Sequence, residues 1–283
     1  MERSDLPQSD VISVSFDGHV ATVWLDREDA RNAFAPVFWE QFPDIIDALG
    51  EDPETRAIVI AAKGPAFTAG IDLKAFGPAF VSGGVDPSSG TDPGAGRNRE
   101  LYRSVKRMQR TFNSLADSPK PVIAAVHGYC IGAGVDLITA CDIRFASADA
   151  IFSVRETRIA MVADVGTLQR LPKIIDPGRV AEIVYTGKDF GADEALEMGL
   201  VSRVAADASA VQELAHDIAL QIATNSPLAV QGAKAVLRAG ETMSVAEHLD
   251  YVALWNSAFL GSKDLTEATM AFLEKREPRF TGD

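Results

Sequence analysis

Two short apolar runs limit the possible folds of this chain, because each leads into a turn that contains glycine. Ala57–Ala62 is followed by Ala66–Lys74, and Val122–Val126 is followed by His127–Asp136. Glycine lets the chain bend sharply between a buried strand and a helix. The free N–H groups of such a turn point toward one spot, so two converging turns could form an oxyanion hole. A single turn of this kind more often only packs a helix on a sheet.

The remaining pattern predicts an α/β fold. Two strands around the hairpin signal Asp17-Gly18 open the chain, and strands then alternate with segments of helical spacing. The last part of the chain shows helical patterns only. We therefore expect a core domain over residues 1–192 and a helical oligomerisation region over residues 193–283.

The composition excludes several classes of protein. The chain has 283 residues, and its formal net charge of −13 repels nucleic acid and anionic membrane surfaces. The two cysteines, Cys130 and Cys141, lie in an apolar stretch and suggest neither a disulfide framework nor a metal site. We expect no nucleic-acid partner, no membrane partner and no metal.

The ends of the chain carry no recognisable address. The first residues, Met1 to Pro7, include acids and lack an apolar core, and Thr281-Gly282-Asp283 is not a peroxisomal signal. These features predict a cytoplasmic location.

A stretch rich in Gly, Pro, Ser and Asp runs from Gly77 to Asn98, before a predicted helix from about Glu100 to Ala116. Long loops inside compact domains are uncommon unless they act as lids or are disordered. We expect this stretch to be a mobile cover of a substrate pocket.

Three acidic residues stand near predicted strand ends. Asp136, Glu156 and Asp164 are spaced by 20 and 8 residues. A lone acid is usually a helix cap or a solvated surface group, and Asp164 could cap a helix that begins near Thr167. The apolar, loop-like setting of these acids instead favours a site, since sites in α/β layers gather at strand ends.

Together these stretches resemble the crotonase (enoyl-CoA hydratase/isomerase) superfamily, from Val11 to the last helix near Arg276. The resemblance implies a spiral of strand-strand-helix units, a C-terminal helical trimerisation region, and assembly as a trimer or hexamer. It also implies that the backbone N–H groups of Ile71 and Ala133 form an oxyanion hole for the thioester oxygen of an acyl-CoA substrate. Further substrate-binding residues expected from it are Arg31, Ala69, Lys74 and Lys275.

The acids narrow the resemblance. Hydratases of this superfamily have glutamates at the positions of Asp136 and Glu156 and glycine at that of Asp164, whereas the set found here resembles dienoyl-CoA isomerases. It implies that Glu156 and Asp164 carry a proton from C2 to C6 of a 3,5-dienoyl-CoA, in fatty acid β-oxidation. Asp136 would tune the pair. By analogy Glu156 would serve C2, although the sequence leaves this order open. Neither a metal nor a redox cofactor is expected.

Two other functions remain open. In a 2-enoyl-CoA hydratase, Asp136 and Glu156 would activate water, and Asp164 argues against this reading. A catalytically silent, RNA-binding or scaffolding relative is disfavoured by the negative net charge and by the retained acids.

Overall fold

The computed structural model describes residue 3 and residues 6–81 and 95–283. The strands are β1 (Ile12–Asp17), β2 (Val20–Leu25), β3 (Ala57–Ala62), β4 (Val122–Val126), β5 (Tyr129–Ile131), β6 (Ile143–Ser147), β7 (Ile151–Ser153), β8 (Phe190–Gly191) and β9 (Arg203–Ala205). The helices are α1 (Pro36–Glu51), α2 (Leu73–Val81), α3 (Ala95–Asp117), α4 (Ala133–Ala140), α5 (Thr167–Arg170), α6 (Pro177–Thr186), α7 (Ala192–Glu197), α8 (Ala208–Ala223), α9 (Pro227–Ala239), α10 (Val245–Phe259) and α11 (Lys263–Glu274).

Two sheets organise the core. The larger sheet has the order β1-β2-β3-β4-β6-β9, and all its pairs are parallel except β1 with β2. The smaller sheet has the order β5-β7-β8. The larger sheet contains β4 and β6, and the smaller sheet contains the strands that follow them, β5 and β7. A helix follows each of these strand pairs, which gives a repeated strand-strand-helix unit. The central strand β3 is buried along its whole length, as expected for a parallel strand covered on both faces.

Helices cover both faces of the larger sheet. On one face α1 packs against α3, and a cluster of aromatic rings joins them through Phe34, Phe38, Trp39 and Phe112. On the other face α8 packs against β3, β4 and β6. The predicted α/β class is therefore confirmed.

The helical-only prediction for residues 193–283 is wrong in one place. Strand β9 pairs with β6 in the larger sheet, and its three residues are too short to show a strand period in the sequence. Helix α8 also packs on that sheet, so residues up to Ala223 are in contact with the core. The domain boundary after residue 192 stays a prediction.

The ends of the predicted loop are helical. Residues 77–81 complete α2 and residues 95–98 open α3, which therefore begins earlier than the predicted Glu100. The rest of the predicted cover, residues 82–94, lies outside the described residues. Within the described ranges, no helix has the length and hydropathy needed to cross a bilayer.

Candidate active site

Backbone hydrogen bonds hold the two glycine-containing turns side by side. The N–H of Phe67 donates to the carbonyl of His127 at 2.8 Å, and the N–H of Thr68 donates to that of Tyr129 at 2.8 Å. The N–H of Ile131 returns a bond to the carbonyl of Thr68 at 3.1 Å. The first turn thus lies along β5 like an added strand, and the two turns converge as predicted.

The side chain of Asn32 holds the start of the first turn by hydrogen bonds. Its side-chain amide donates to the carbonyls of Lys63 and Ala66 at 2.9 and 2.8 Å, and its Oδ1 accepts the N–H of Arg27. The residue is buried and has a left-handed backbone, with φ of 54°. Sequence reasoning missed Asn32, because an isolated Asn before an apolar segment gives no distinctive signal.

Glycine is required where the two turns meet. Gly70 has φ of 83°, and a Cβ built there would lie 2.6 Å from the carbonyl oxygen of Ile131 and 3.6 Å from the backbone nitrogen of Ala133. This close approach brings Ile71 and Ala133 to the same cavity. Among the described residues, neither of their N–H groups has a hydrogen-bond acceptor. Both amides are therefore available to an oxygen of a bound molecule.

The cavity has a volume of about 420 Å³ and a largely apolar wall. Its apolar side chains come from α1, α2, α3 and the segment after β7: Trp39, Leu73, Phe76, Val105, Met108, Ile159, Met161 and Val165. All three predicted acids also line it. The predicted site residues Ile71, Ala133, Asp136, Glu156 and Asp164 therefore share one cavity.

Asp136 lies in the first turn of α4 and is fully buried. Its Oδ1 accepts the backbone N–H of Thr167, while its Oδ2 is buried without a hydrogen-bond partner in the described structure. Burial and the nearby charge of Glu156 raise the pKa of Asp136 to about 7, against the opposing N–H of Thr167. This carboxyl can change its protonation state near neutral pH.

Glu156 opens the 3₁₀ helix Glu156–Ile159, three residues after the end of β7. A Cβ built on Gly132 would lie 3.3 Å from its Oε1, so the glycine leaves room for the carboxylate beside the oxyanion turn. Its Oε2 is buried and has no partner among the described residues. Burial, and then the charge of Asp164, raise the pKa of Glu156.

Asp164 stands in the loop before α5 and is half-buried. Burial raises the pKa of this carboxyl as well. The side-chain amide of Gln109 on α3 donates to the Asp164 carbonyl at 2.7 Å and so fixes the loop. The helix-cap reading of Asp164 is wrong, because Gly166 occupies the N-cap of α5 and no side chain caps it.

Arg155 also lines the cavity, although the sequence did not single it out. Its guanidinium forms a bidentate ion pair with Asp189, with Nη2 to Oδ2 at 2.6 Å and Nε to Oδ1 at 3.1 Å. This pairing restrains the residue next to Glu156. Its position directly before a predicted acid was the one available signal.

The predicted substrate-binding residues fall into two groups. Ala69 lines the cavity, and its N–H donates to the carbonyl of Arg31 at 2.9 Å. Arg31, Lys74 and Lys275 are exposed and are not among the described residues that line the cavity. Their roles stay predictions.

This arrangement suits enolate chemistry. Two free N–H groups can stabilise an oxyanion, and buried carboxyl groups with raised pKa values can exchange protons with carbon near neutral pH. Proton transfer needs one carboxyl ionised and another protonated, and crowding of three acids in an apolar cavity disfavours full ionisation.

Comparison with known proteins identifies the family. A family model described as enoyl-CoA hydratase/isomerase matches residues 15–283. The chain belongs to this family. Within it, the Delta(3,5)-Delta(2,4)-dienoyl-CoA isomerase of Arabidopsis thaliana peroxisomes is 43% identical and covers 96% of each chain. The mitochondrial protein of the same name from Homo sapiens is 44% identical over 92% of this chain and 77% of its own.

A solved structure of a family member confirms the crotonase-like fold. Enoyl-CoA hydratase from Bacillus anthracis superposes with a TM-score of 0.86 at 32% identity, over 97% of this chain and all of that one. The recognition of an enoyl-CoA hydratase/isomerase family enzyme from the sequence is thus confirmed.

The predicted cytoplasmic location is wrong by the same comparison. The isomerases that this family member matches are peroxisomal or mitochondrial by name. Organelle addresses are read by receptors, so the composition of the chain ends was a poor guide.

Proposed function

We propose that this enzyme converts 3,5-dienoyl-CoA into 2,4-dienoyl-CoA. The observation that carries the proposal is the meeting of Asp136, Glu156 and Asp164 in one cavity with the free N–H groups of Ile71 and Ala133. The identities of 43% and 44% to enzymes named for this reaction support it.

The reaction needs the groups that the cavity holds. One proton leaves C2, the thioester oxygen takes up the negative charge of a dienolate, and one proton is added at C6. The amides of Ile71 and Ala133 would bind that oxygen, and losing one such donor typically costs about 3 kcal/mol of transition-state stabilisation. The reaction consumes no water and transfers no electrons, so the proposal includes neither a metal nor a redox cofactor.

The two outer acids share the proton transfer. Glu156 lies beside the oxyanion turn, which suits removal of the proton next to the thioester at C2. Asp164 then serves C6, farther along the diene. Asp136 lies deeper and sets the charge of the group. If Asp136 is ionised, repulsion favours a single proton shared by Glu156 and Asp164.

The same proposal includes assembly as a trimer or hexamer. Helices α9, α10 and α11, together with the C-cap residue of α10, leave large apolar side chains exposed: Leu237, Val245, Leu249, Leu254, Leu260, Phe272 and Leu273. Phe272 is 84% and Val245 is 78% exposed. Large apolar patches usually mark interaction surfaces, so these helices are the proposed subunit contacts. A monomeric mass by light scattering at micromolar concentration would contradict this part.

An absorbance assay tests the activity. The purified enzyme is given a 3,5-dienoyl-CoA and, separately, crotonyl-CoA, and formation of the conjugated 2,4-diene is compared with hydration. The proposal expects isomerisation to be much faster. Faster hydration would assign the chain to the hydratases. Absence of both activities, together with RNA retention in a filter-binding assay, would favour a non-catalytic relative.

A further inference from the structure

Arg170 carries a positive charge that is coupled to Asp136 from outside the substrate cavity. It is the last residue of α5 and borders a second cavity of about 760 Å³, between the core and α9. Among the described residues, it is not part of the wall that the three acids share. Any effect of Arg170 on the reaction must therefore pass through another residue.

The geometry of α5 links this guanidinium to Asp136. A Cβ built on Gly166, which has φ of 140°, would lie 1.9 Å from Nη1 of Arg170, so the guanidinium is packed against that glycine. The next residue, Thr167, donates its backbone N–H to Oδ1 of Asp136. The N–H that binds Asp136 and the guanidinium that packs on Gly166 thus belong to the same short helix, α5.

The guanidinium is held in place without an acidic partner. Nη2 of Arg170 donates to Oδ1 of Asn113 on α3, while Nη1 is buried and has no hydrogen-bond partner in the described structure. Burial lowers the pKa of Arg170, and the carboxylate of Asp136 raises it. Asp117, Arg238 and Cys141 also act on the pKa of Arg170, but no carboxylate of the described residues lies within ion-pair distance of its guanidinium.

The other groups around Asp136 do not supply positive charge. Glu156 and Asp164 are acids, and the buried thiol of Cys130 has its pKa raised by burial. Arg155 is paired with Asp189. The N–H of Thr167 favours the ionised form of Asp136, and Arg170 is the cation whose charge is coupled to the same carboxylate.

We propose that Arg170 is a positioning residue that keeps Asp136 ionised and so leaves the shared proton to Glu156 and Asp164. Its kinetic consequence rests on the proposed isomerase function. The electrostatic coupling between Arg170 and Asp136 does not, and it can be measured without substrate.

The test combines Arg170→Gln and Arg170→Lys, each made with Asp136 present and with Asp136→Asn. Arg170→Gln should move the acid limb of the kcat/KM profile to higher pH by about one unit, as expected when an opposite charge is lost. The rate below that limb should fall about tenfold and recover at higher pH, while Arg170→Lys should keep the original profile. In the Asp136→Asn background, Arg170→Gln should leave the limb unmoved.

Stability supplies the arm that is independent of activity. The unfolding free energy should fall with rising pH until Asp136 is ionised in the folded protein, and then level off. In Arg170→Gln this levelling should occur at a pH about one unit higher, whereas in the Asp136→Asn background Arg170→Gln should not move it. If Arg170→Gln fails to fold, Asn113→Asp should produce the same upward shift by pairing with the guanidinium, with Asn113→Ala as its control. Equal losses at every pH, whether or not Asp136 is present, would overturn the proposal and leave Arg170 a structural residue. Loss of the kinetic arm alone would count against the isomerase function.

Discussion

The stability of Asp136→Asn, measured relative to the wild type, should increase as the pH rises. The carboxyl is fully buried, and its pKa is about 7 in the folded protein against an ordinary value of 3.8. The folded state therefore keeps a proton that the unfolded chain releases. The stabilisation from this raised pKa is complete below pH 3.8 and is lost as the pH rises to 7.

The magnitude follows from the linkage between protonation and folding. Each pH unit in that window changes the unfolding free energy by about 1.4 kcal/mol, so between pH 5 and pH 8 the wild type loses about 3 kcal/mol through Asp136. Asp136→Asn removes this dependence and keeps an oxygen that can accept the N–H of Thr167. Relative to the wild type, the variant should gain about 3 kcal/mol over this range, or roughly 6 °C in Tm.

The assay is urea unfolding at pH 5, 6, 7 and 8, at one fixed protein concentration because the protein is expected to be oligomeric. Both proteins retain Glu156 and Asp164, so the difference between them reports mainly on Asp136. Asp164→Asn is a matched control, since its carboxyl is half-buried and should show a weaker trend. A stability difference that stays constant from pH 5 to pH 8 would refute the reasoning.

Three further predictions concern the acids of the site, the turn at Gly70 and a buried ion pair. Glu156→Gln and Asp164→Asn should each lower kcat for dienoyl-CoA isomerisation by about two to four orders of magnitude with little change in KM, and Asp136→Asn should lower kcat by less. Intact activity in Asp164→Asn would contradict the proposed roles. Gly70→Ala should lower both kcat and Tm, because the new Cβ would clash with the Ile131 carbonyl and because Gly70 has a positive φ. Gly77→Ala is the control for both measurements, since there is open space where its Cβ would lie. Lys234→Ala should lower the unfolding free energy by about 3 kcal/mol, because it removes a buried ammonium that contacts Asp142 at 2.7 Å and the Lys120 carbonyl at 2.8 Å. Lys263→Ala removes one partner of an exposed ion pair and should change the unfolding free energy by less than about 1 kcal/mol.

Local sequence signals were sufficient for strands β1 to β4 and for the two glycine-containing turns. The apolar runs of β3 and β4 are buried along their length, and the positive φ at Gly70 and Gly132 matches the predicted sharp bends. The three acids were singled out by their apolar, loop-like setting near predicted strand ends and by the family resemblance, and the fold brings them to one cavity.

Contacts between distant segments could not be predicted in the same way. Gln109 holds the Asp164 loop across 55 residues, and Asn113 holds Arg170 across 57. On a helix surface these amides look like ordinary polar residues. Strand β9 was missed because pairing with β6, rather than any period of its own three residues, defines it.

The most direct test of the proton-transfer account is to run the isomerisation of a 3,5-dienoyl-CoA in D₂O and locate the label by NMR. The carboxyl proton of Asp164 exchanges with solvent, so the account predicts a 2,4-dienoyl-CoA that carries one deuterium at C6 and has gained no water. Asp164→Asn should abolish this incorporation. A product hydrated at C3, or a 2,4-diene without solvent-derived hydrogen at C6, would contradict the account.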